Sequence, residues 1–294
     1  MKMNFKKTCI ALALAGGFVS VANATPGPVV ISSGGTSATI ADSGLFSSST
    51  ALGLSNGGKE YINHGTWASN YTLRDSSGII ATADQALGDT SNPFGAVHFA
   101  IAPSIVSTHG STAGGWGFIE TAHITSPGHL VYTVTITNNT GHDATGVQWG
   151  FGIDPDQGIP GGFGFGTTNV INGVGIASSV TATSSDGYWV TLKDITGAGA
   201  QLVHPFIDLT TCCSPVDPLT MYSAAQTAGN YGFADDSINL AFTLGKDGVL
   251  KNHESTVLGY ELVMGVPEPE TYAMFMAGLG LMGFIARRRK NGQA

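Results

Sequence analysis

Residues His129–Thr137 read HLVYTVTIT. Val131, Thr133, Thr135 and Thr137 fall on one side of this segment, and Tyr132, Val134 and Ile136 on the other. Alternation with a period of two, carried by β-branched and aromatic residues, is the pattern of a half-buried β-strand. Asn138-Asn139-Thr140-Gly141 then supplies a turn. Outward from there, Val147–Ile153 (VQWGFGI) reads as the next strand, stopped by Asp154-Pro155-Asp156. The same signal recurs at Val97–Ile101, Phe118–Ile124, Tyr188–Leu192, Ile238–Leu244 and Val257–Met264. Gly, Ser, Thr, Asn and Asp fill the intervals, and no amphipathic helical window of convincing length lies between residues 25 and 265. Many short strands joined by Gly-rich turns predict an all-β body over residues 25–265, a β-sandwich that is either one large unit or a double one. Gly158–Gly166 (GIPGGFGFG) reads as a long flexible loop rather than a domain boundary.

Charge is distributed unevenly. The 294 residues carry 12 Lys and Arg against 20 Asp and Glu, a net −8. Seven of the basic residues sit at the two ends, so residues 25–266 hold five basic against eighteen acidic side chains, a net −13. A nucleic-acid binder needs a basic footprint, and this body has none. With 11% charged and 42% hydrophobic residues, the chain has enough apolar material for a core.

The ends read as addresses. Lys2, Lys6 and Lys7 precede the apolar run Cys9–Val21, and Ala22-Asn23-Ala24 is an A-x-A cleavage site. Met1–Ala24 is therefore expected to be a secretory signal peptide cut after Ala24, with Ala22 and Ala24 as the small residues the peptidase needs. At the other end come Val266-Pro267-Glu268-Pro269, an apolar stretch Thr271–Ala286, and the basic cluster Arg287-Arg288-Arg289-Lys290. Sixteen helical residues span roughly 24 Å, short of a ~30 Å hydrocarbon core, and flanking Arg side chains can snorkel across part of the difference. A transmembrane helix over 271–286 is expected, with the basic tail 287–290 held cytoplasmic by the positive-inside rule.

This order of triplet, short helix and basic stop, spanning residues 266–290, resembles the PEP-CTERM sorting signal of Gram-negative bacteria. The resemblance implies recognition by a membrane-embedded exosortase that cuts near the triplet. It also implies transit through the inner membrane, anchoring by the C-terminal helix, and a final place at the cell surface or in an exopolysaccharide matrix. The body in turn looks like β-sandwich modules of surface and extracellular-matrix proteins. The matching pieces are YTVTITNNTG at 132–141, DPDQ at 154–157, TTN at 167–169 and DDSINLAFTLG at 235–245. That likeness brings no catalytic residue with it.

Motifs for chemistry are scarce. The chain has no H-E-x-x-H and no P-loop. Cys212 and Cys213 are adjacent, and the ring they would close is strained, so two thiols in a loop before Pro215 are the favoured expectation. A cross-link to another chain is the alternative in an oxidising compartment. Asp154 and Asp156 stand two residues apart at a strand end, a spacing that suits Ca2+, and Asp235-Asp236 from a second loop can meet them at one ion. It is no EF-hand, because the twelfth position from Asp154 is Phe165 where a Glu is required. Turn-capping by the same carboxylates is the competing reading. Three functions follow. The first is a non-enzymatic exported protein with a structural or adhesive role linked to exopolysaccharide. The second is a polysaccharide hydrolase or a calcium-stabilised carbohydrate-binding module. The third is a flat Thr face for ice or mineral, which needs a repeat period the body lacks.

Overall fold

The computed structural model describes residues 27–266, apart from the segments 48–52, 63–68, 86–90, 158–164, 176–177 and 197–201, together with Met282. Strands are numbered in chain order. His129–Asn138 is β10, and the expected alternation is what forms: Leu130, Tyr132, Val134 and Ile136 are buried while Thr133 is exposed. β10 pairs antiparallel with β9 (Trp116–Ser126) on one side and with β18 (Ser255–Gly265) on the other. These long strands form the middle of a nine-stranded sheet. Beyond β9 lie β8 (Ile105–Ser111) and β7 (Val97–Ala102). Beyond β18 lie β14 (Trp189–Asp194), β13 (Ser179–Ser184), β12 (Thr167–Gly173) and β16 (Gly229–Ala234). The last strand of the body thus joins the two wings of the sheet.

A five-stranded antiparallel sheet packs against it. Its order is β15 (Val203–Asp208), β17 (Ser237–Thr243), β11 (Gln148–Ile153), β5 (Ser69–Asp75) and β6 (Gly78–Asp84). Trp149, Phe151 and Ile153 of β11 point into the space between the sheets, where Phe151 stacks on Tyr260 at 4.3 Å and Trp149 on Tyr71 at 4.6 Å. Alternate inward side chains interdigitating between two sheets make a sandwich core. A small sheet of β1 (Val29–Ser33), β2 (Thr36–Ile40), β3 (Leu54–Asn56) and β4 (Lys59–Glu60) adds Ile31, Ile40 and Leu54 to the same core.

The all-β body carries one short helix, and one expectation needs correction. A helix does form: α1 (Pro218–Ala224), with Asp217 as N-cap and Pro218 in its first turn. It is too short to show periodicity, and it exists because the outer face of the five-stranded sheet needs a cover. Met221 and Pro218 lie over Gly150, where a side chain would have no room, and Met221 packs with Phe206 and Ala241. This is why β17 is buried on both faces and shows no clean alternation. Cys212 and Cys213, expected as thiols, form a disulfide with each other. They lie in the irregular connection between β15 and α1, where no ladder fixes the backbone against a local ring. The expected signal peptide 1–24, with Ala22 and Ala24, lies outside the described residues, as do the helix 271–286 apart from Met282 and nearly all of the loop 158–166. Among the described residues no helix is long and apolar enough to cross a membrane.

Candidate metal centre

Three neighbouring strands of the five-stranded sheet end at one place. β11 runs out into Asp154-Pro155-Asp156-Gln157, β17 is preceded by Asp235-Asp236, and β15 finishes at Asp208. Side chains 148, 150, 152 and 154 share the outer face of β11 by strand periodicity. Asp154 thus comes under the connection carrying the disulfide. Cys213 Sγ lies 3.4 Å from Asp154 Oδ2. A disulfide sulfur has no proton to donate, so this is a contact and not a hydrogen bond. Gln157 closes the segment on the opposite sheet, its Nε2 donating to the Ala182 carbonyl of β13 at 2.9 Å.

Asp154, Asp156 and Asp235 converge. Each offers a carboxylate oxygen within 4.8 Å of the other two. Asp154 and Asp156 are 1% and 2% exposed, while Asp235 sits at the rim. Among the described residues, Oδ1 of Asp154 and Oδ1 of Asp156 find no hydrogen-bond partner, and neither does Gln157 Oε1 one residue on. Burial, followed by the neighbouring negative charges, pushes the Asp154 and Asp156 carboxyls well above the usual carboxylate range. Burial raises Asp235 as well.

Asp236 takes a different role from the one its pairing with Asp235 suggested. Burial and the charges of Asp208 and Asp235 raise its carboxyl, and a hydrogen bond from Asn169 lowers it. Asp208 accepts from the Thr210 amide and hydroxyl and caps its own turn. The structure thus brings acids from separate segments, Asp154, Asp156 and Asp235, within reach of one another. The contact with the disulfide had no signal in the sequence. His98, buried in β7, is held by Thr108 at 2.9 Å and is a packed residue.

Of the sorting residues, Val266 is described; it is partly exposed and follows the last residue of β18 directly. The strand end is clamped, with Tyr61 Oη donating to the Gly265 carbonyl at 2.9 Å and the Trp189 ring occupying the space a Gly265 side chain would need. Pro267, Glu268, Pro269, Arg287, Arg288, Arg289 and Lys290 lie outside the described residues. Residues 265–290 match the family model of the PEP-CTERM protein-sorting motif. The chain is a PEP-CTERM motif-containing protein. In proteins that carry it, such a motif is the recognition signal for an exosortase, which supports export and sorting at the membrane. The match covers the tail and not the β body. No curated protein matches the chain. Among solved structures, a polysaccharide lyase is similar at 14% identity and TM-score 0.36, over 70% of this chain and 26% of that one. A heparinase III is similar at 12% identity and TM-score 0.35, over 82% and 31%. The chain spans between a quarter and a third of the length of these structures, and at such scores neither likeness bears on what the body does.

Proposed function

We propose that the β body of this PEP-CTERM protein is a non-enzymatic module of the cell envelope or extracellular matrix, with a structural or adhesive role linked to exopolysaccharide. The observation that carries this reading is the outer face of the nine-stranded sheet. Thr133, Thr135 and Thr137 of β10 line its middle, and hydroxyls pair across strands, Thr137 with Ser255 at 2.8 Å and Thr181 with Thr191 at 2.7 Å. Cross-strand pairs of hydroxyls at the ~4.8 Å strand spacing offer donors and acceptors in the manner sugar hydroxyls use. The one cluster of charge on these strands is neutralised internally, with Glu261 bonded to Lys193 at 2.7 Å and His129 at 2.6 Å.

The acidic cluster does not favour the hydrolase alternative. Glycosidase carboxyls stand about 5 to 9.5 Å apart on either side of a sugar ring. Asp154 and Asp156 are instead shielded from solvent, with carboxylate oxygens within 4.8 Å of each other.

Two experiments test the reading. Thr133→Arg with Thr135→Arg is expected to reduce co-sedimentation with exopolysaccharide from the producing cells at least tenfold. Undiminished binding, or new reducing ends released from that polysaccharide, would overturn the proposal. Replacing Pro267, Glu268 and Pro269 by Ala should leave uncut protein in the inner membrane, and normal release of that variant would count against exosortase processing.

A further inference from the structure

We propose that Asp154, Asp156 and Asp235 hold a divalent cation, and that the ion is Ca2+. Geometry comes first. Two oxygens on opposite sides of an ion at ~2.4 Å are ~4.8 Å apart, and the three acids bring oxygens within that span of one another, the scale of a shared Ca2+ site. The second argument is the state of the buried oxygens. Asp154 Oδ1 and Asp156 Oδ1 belong to side chains almost wholly shielded from water, and among the described residues neither has a hydrogen-bond donor. A buried carboxylate without a partner is among the costliest arrangements a fold can carry. The ion pairs among the described residues join Arg74 to Asp217, His98 to Asp42, and His129 and Lys193 to Glu261, and none reaches these three acids.

The donor set selects the metal. Three carboxylates are hard oxygen ligands, and Gln157 Oε1, also buried and without a partner, follows Asp156 directly. The neighbouring sulfurs are tied in a disulfide and offer no thiolate, which removes the ligands that Zn2+ prefers. Asp154 and Asp156 lie on an irregular segment between two sheets, and Asp235 comes from a separate turn. Ca2+ tolerates such uneven geometry, whereas Mg2+ demands a near-ideal octahedron and retains its waters. Bound there, the ion would tie the segment after β11 to the turn before β17 and neutralise the three carboxylates.

The test uses the full chain, stripped with EDTA and dialysed. Thermal unfolding is followed while CaCl2 is raised from micromolar to millimolar, with 45Ca equilibrium dialysis in parallel. The expected result is a midpoint that climbs steadily with log[Ca2+], with one ion retained per chain. Asp154→Asn with Asp156→Asn should unfold in EDTA no earlier than the parent, because it removes buried charge, and should show no Ca2+ response. If that variant fails to fold, Asp235→Asn at the exposed rim should keep the parent midpoint in EDTA and need at least tenfold more Ca2+ for the same shift. A parent that neither shifts nor retains Ca2+ at millimolar concentration overturns the proposal. So does an Asn variant that responds as the parent does.

Discussion

One segment of chain, Trp149 to Gln157, is buried from end to end, yet its two halves are buried in opposite ways. Trp149, Phe151 and Ile153 enter an aromatic seam in which Phe151, Tyr132 and Tyr260 stack at 4.3 to 5.9 Å. Asp154, Asp156 and Gln157 are as well hidden, but each keeps an oxygen without a partner. Low exposure therefore means two different things here. In the seam it stabilises by removing apolar surface from water. At the strand end it costs free energy until a positive charge answers it. The largest effect is expected in the seam. Phe151→Ala should cost about 3–5 kcal/mol in urea unfolding. That loss should be the same with Ca2+ and with EDTA, because Phe151 and Asp154 are about 10 Å apart along the strand and do not share partners. A loss that changes on chelation would merge the two halves into one unit.

Glu60 sharpens the contrast, since it is a buried carboxylate with donors. Its Oε1 accepts from the Leu54 amide at 2.9 Å and the Ile62 amide at 3.3 Å, while Oε2 has none. Burial outweighs those bonds and pushes its pKa up to about 7. An unfolded Glu titrates near ~4.3. As pH rises, the unfolded chain releases this proton first, so the contribution is whole below about pH 4, falls between there and about 7, and is then lost. Glu60→Gln keeps the acceptor and abolishes the titration. It should raise stability by up to about 3 kcal/mol at pH 8 and by nothing at pH 4. Urea midpoints at both values check this, and an equal gain at both would mean that packing, not charge, is responsible.

The helix supplies a smaller test on the same sheet. Asp217 accepts from the Leu219 amide at 2.9 Å and from Arg74 Nη1 at 2.7 Å, so it caps α1 and pairs a half-hidden guanidinium at once. Asp217→Ala should cost about 1–2 kcal/mol. It should loosen the cover over Gly150, and it should leave the Ca2+ response in place if the acidic cluster is held by its own strands.

The strands that form the seam were legible because their sequences alternate: HLVYTVTIT and VQWGFGI lose their pattern if shifted by one residue. β18 was legible for the same reason, although its place between β14 and β10 was not, because sheet order depends on non-local pairing that no window of sequence contains. β1 to β6 escaped notice because they are short, or because Ser, Thr and Gly within them read equally well as turns. At the acidic site the pattern D-P-D and the second acid pair were visible in the sequence, and the structure brings Asp235 beside Asp154 and Asp156. Nothing in the sequence told Asp235 from Asp236. Their separation arises from strand alternation at the start of β17, which turns one to the rim and the other toward Asn169. The disulfide was misread because strain was weighed without knowing how free the surrounding backbone was.

That disulfide provides the smallest expected effect and the sharpest division between the two halves of the segment. Cross-link stabilisation comes mainly from closing a loop in the unfolded chain, and it grows with the logarithm of loop length. Cys212 and Cys213 are neighbours, so almost no chain is enclosed. Cys212→Ser with Cys213→Ser should move stability by less than about 1 kcal/mol, and the seam should not register the change. The ion preference of the strand end is another matter. Asp154 and the two cysteine sulfurs form a second convergent group, with ligand atoms within 4.8 Å of one another. As a disulfide those sulfurs are poor ligands; as thiols they add two soft donors beside one hard one. Reduction of the parent should therefore leave its Ca2+ shift intact and add a shift with Zn2+ that the double Ser variant lacks. If reduction instead abolished the Ca2+ response, the disulfide would be holding Asp154 in place, and the strand end would depend on its sulfur cover rather than on its three acids.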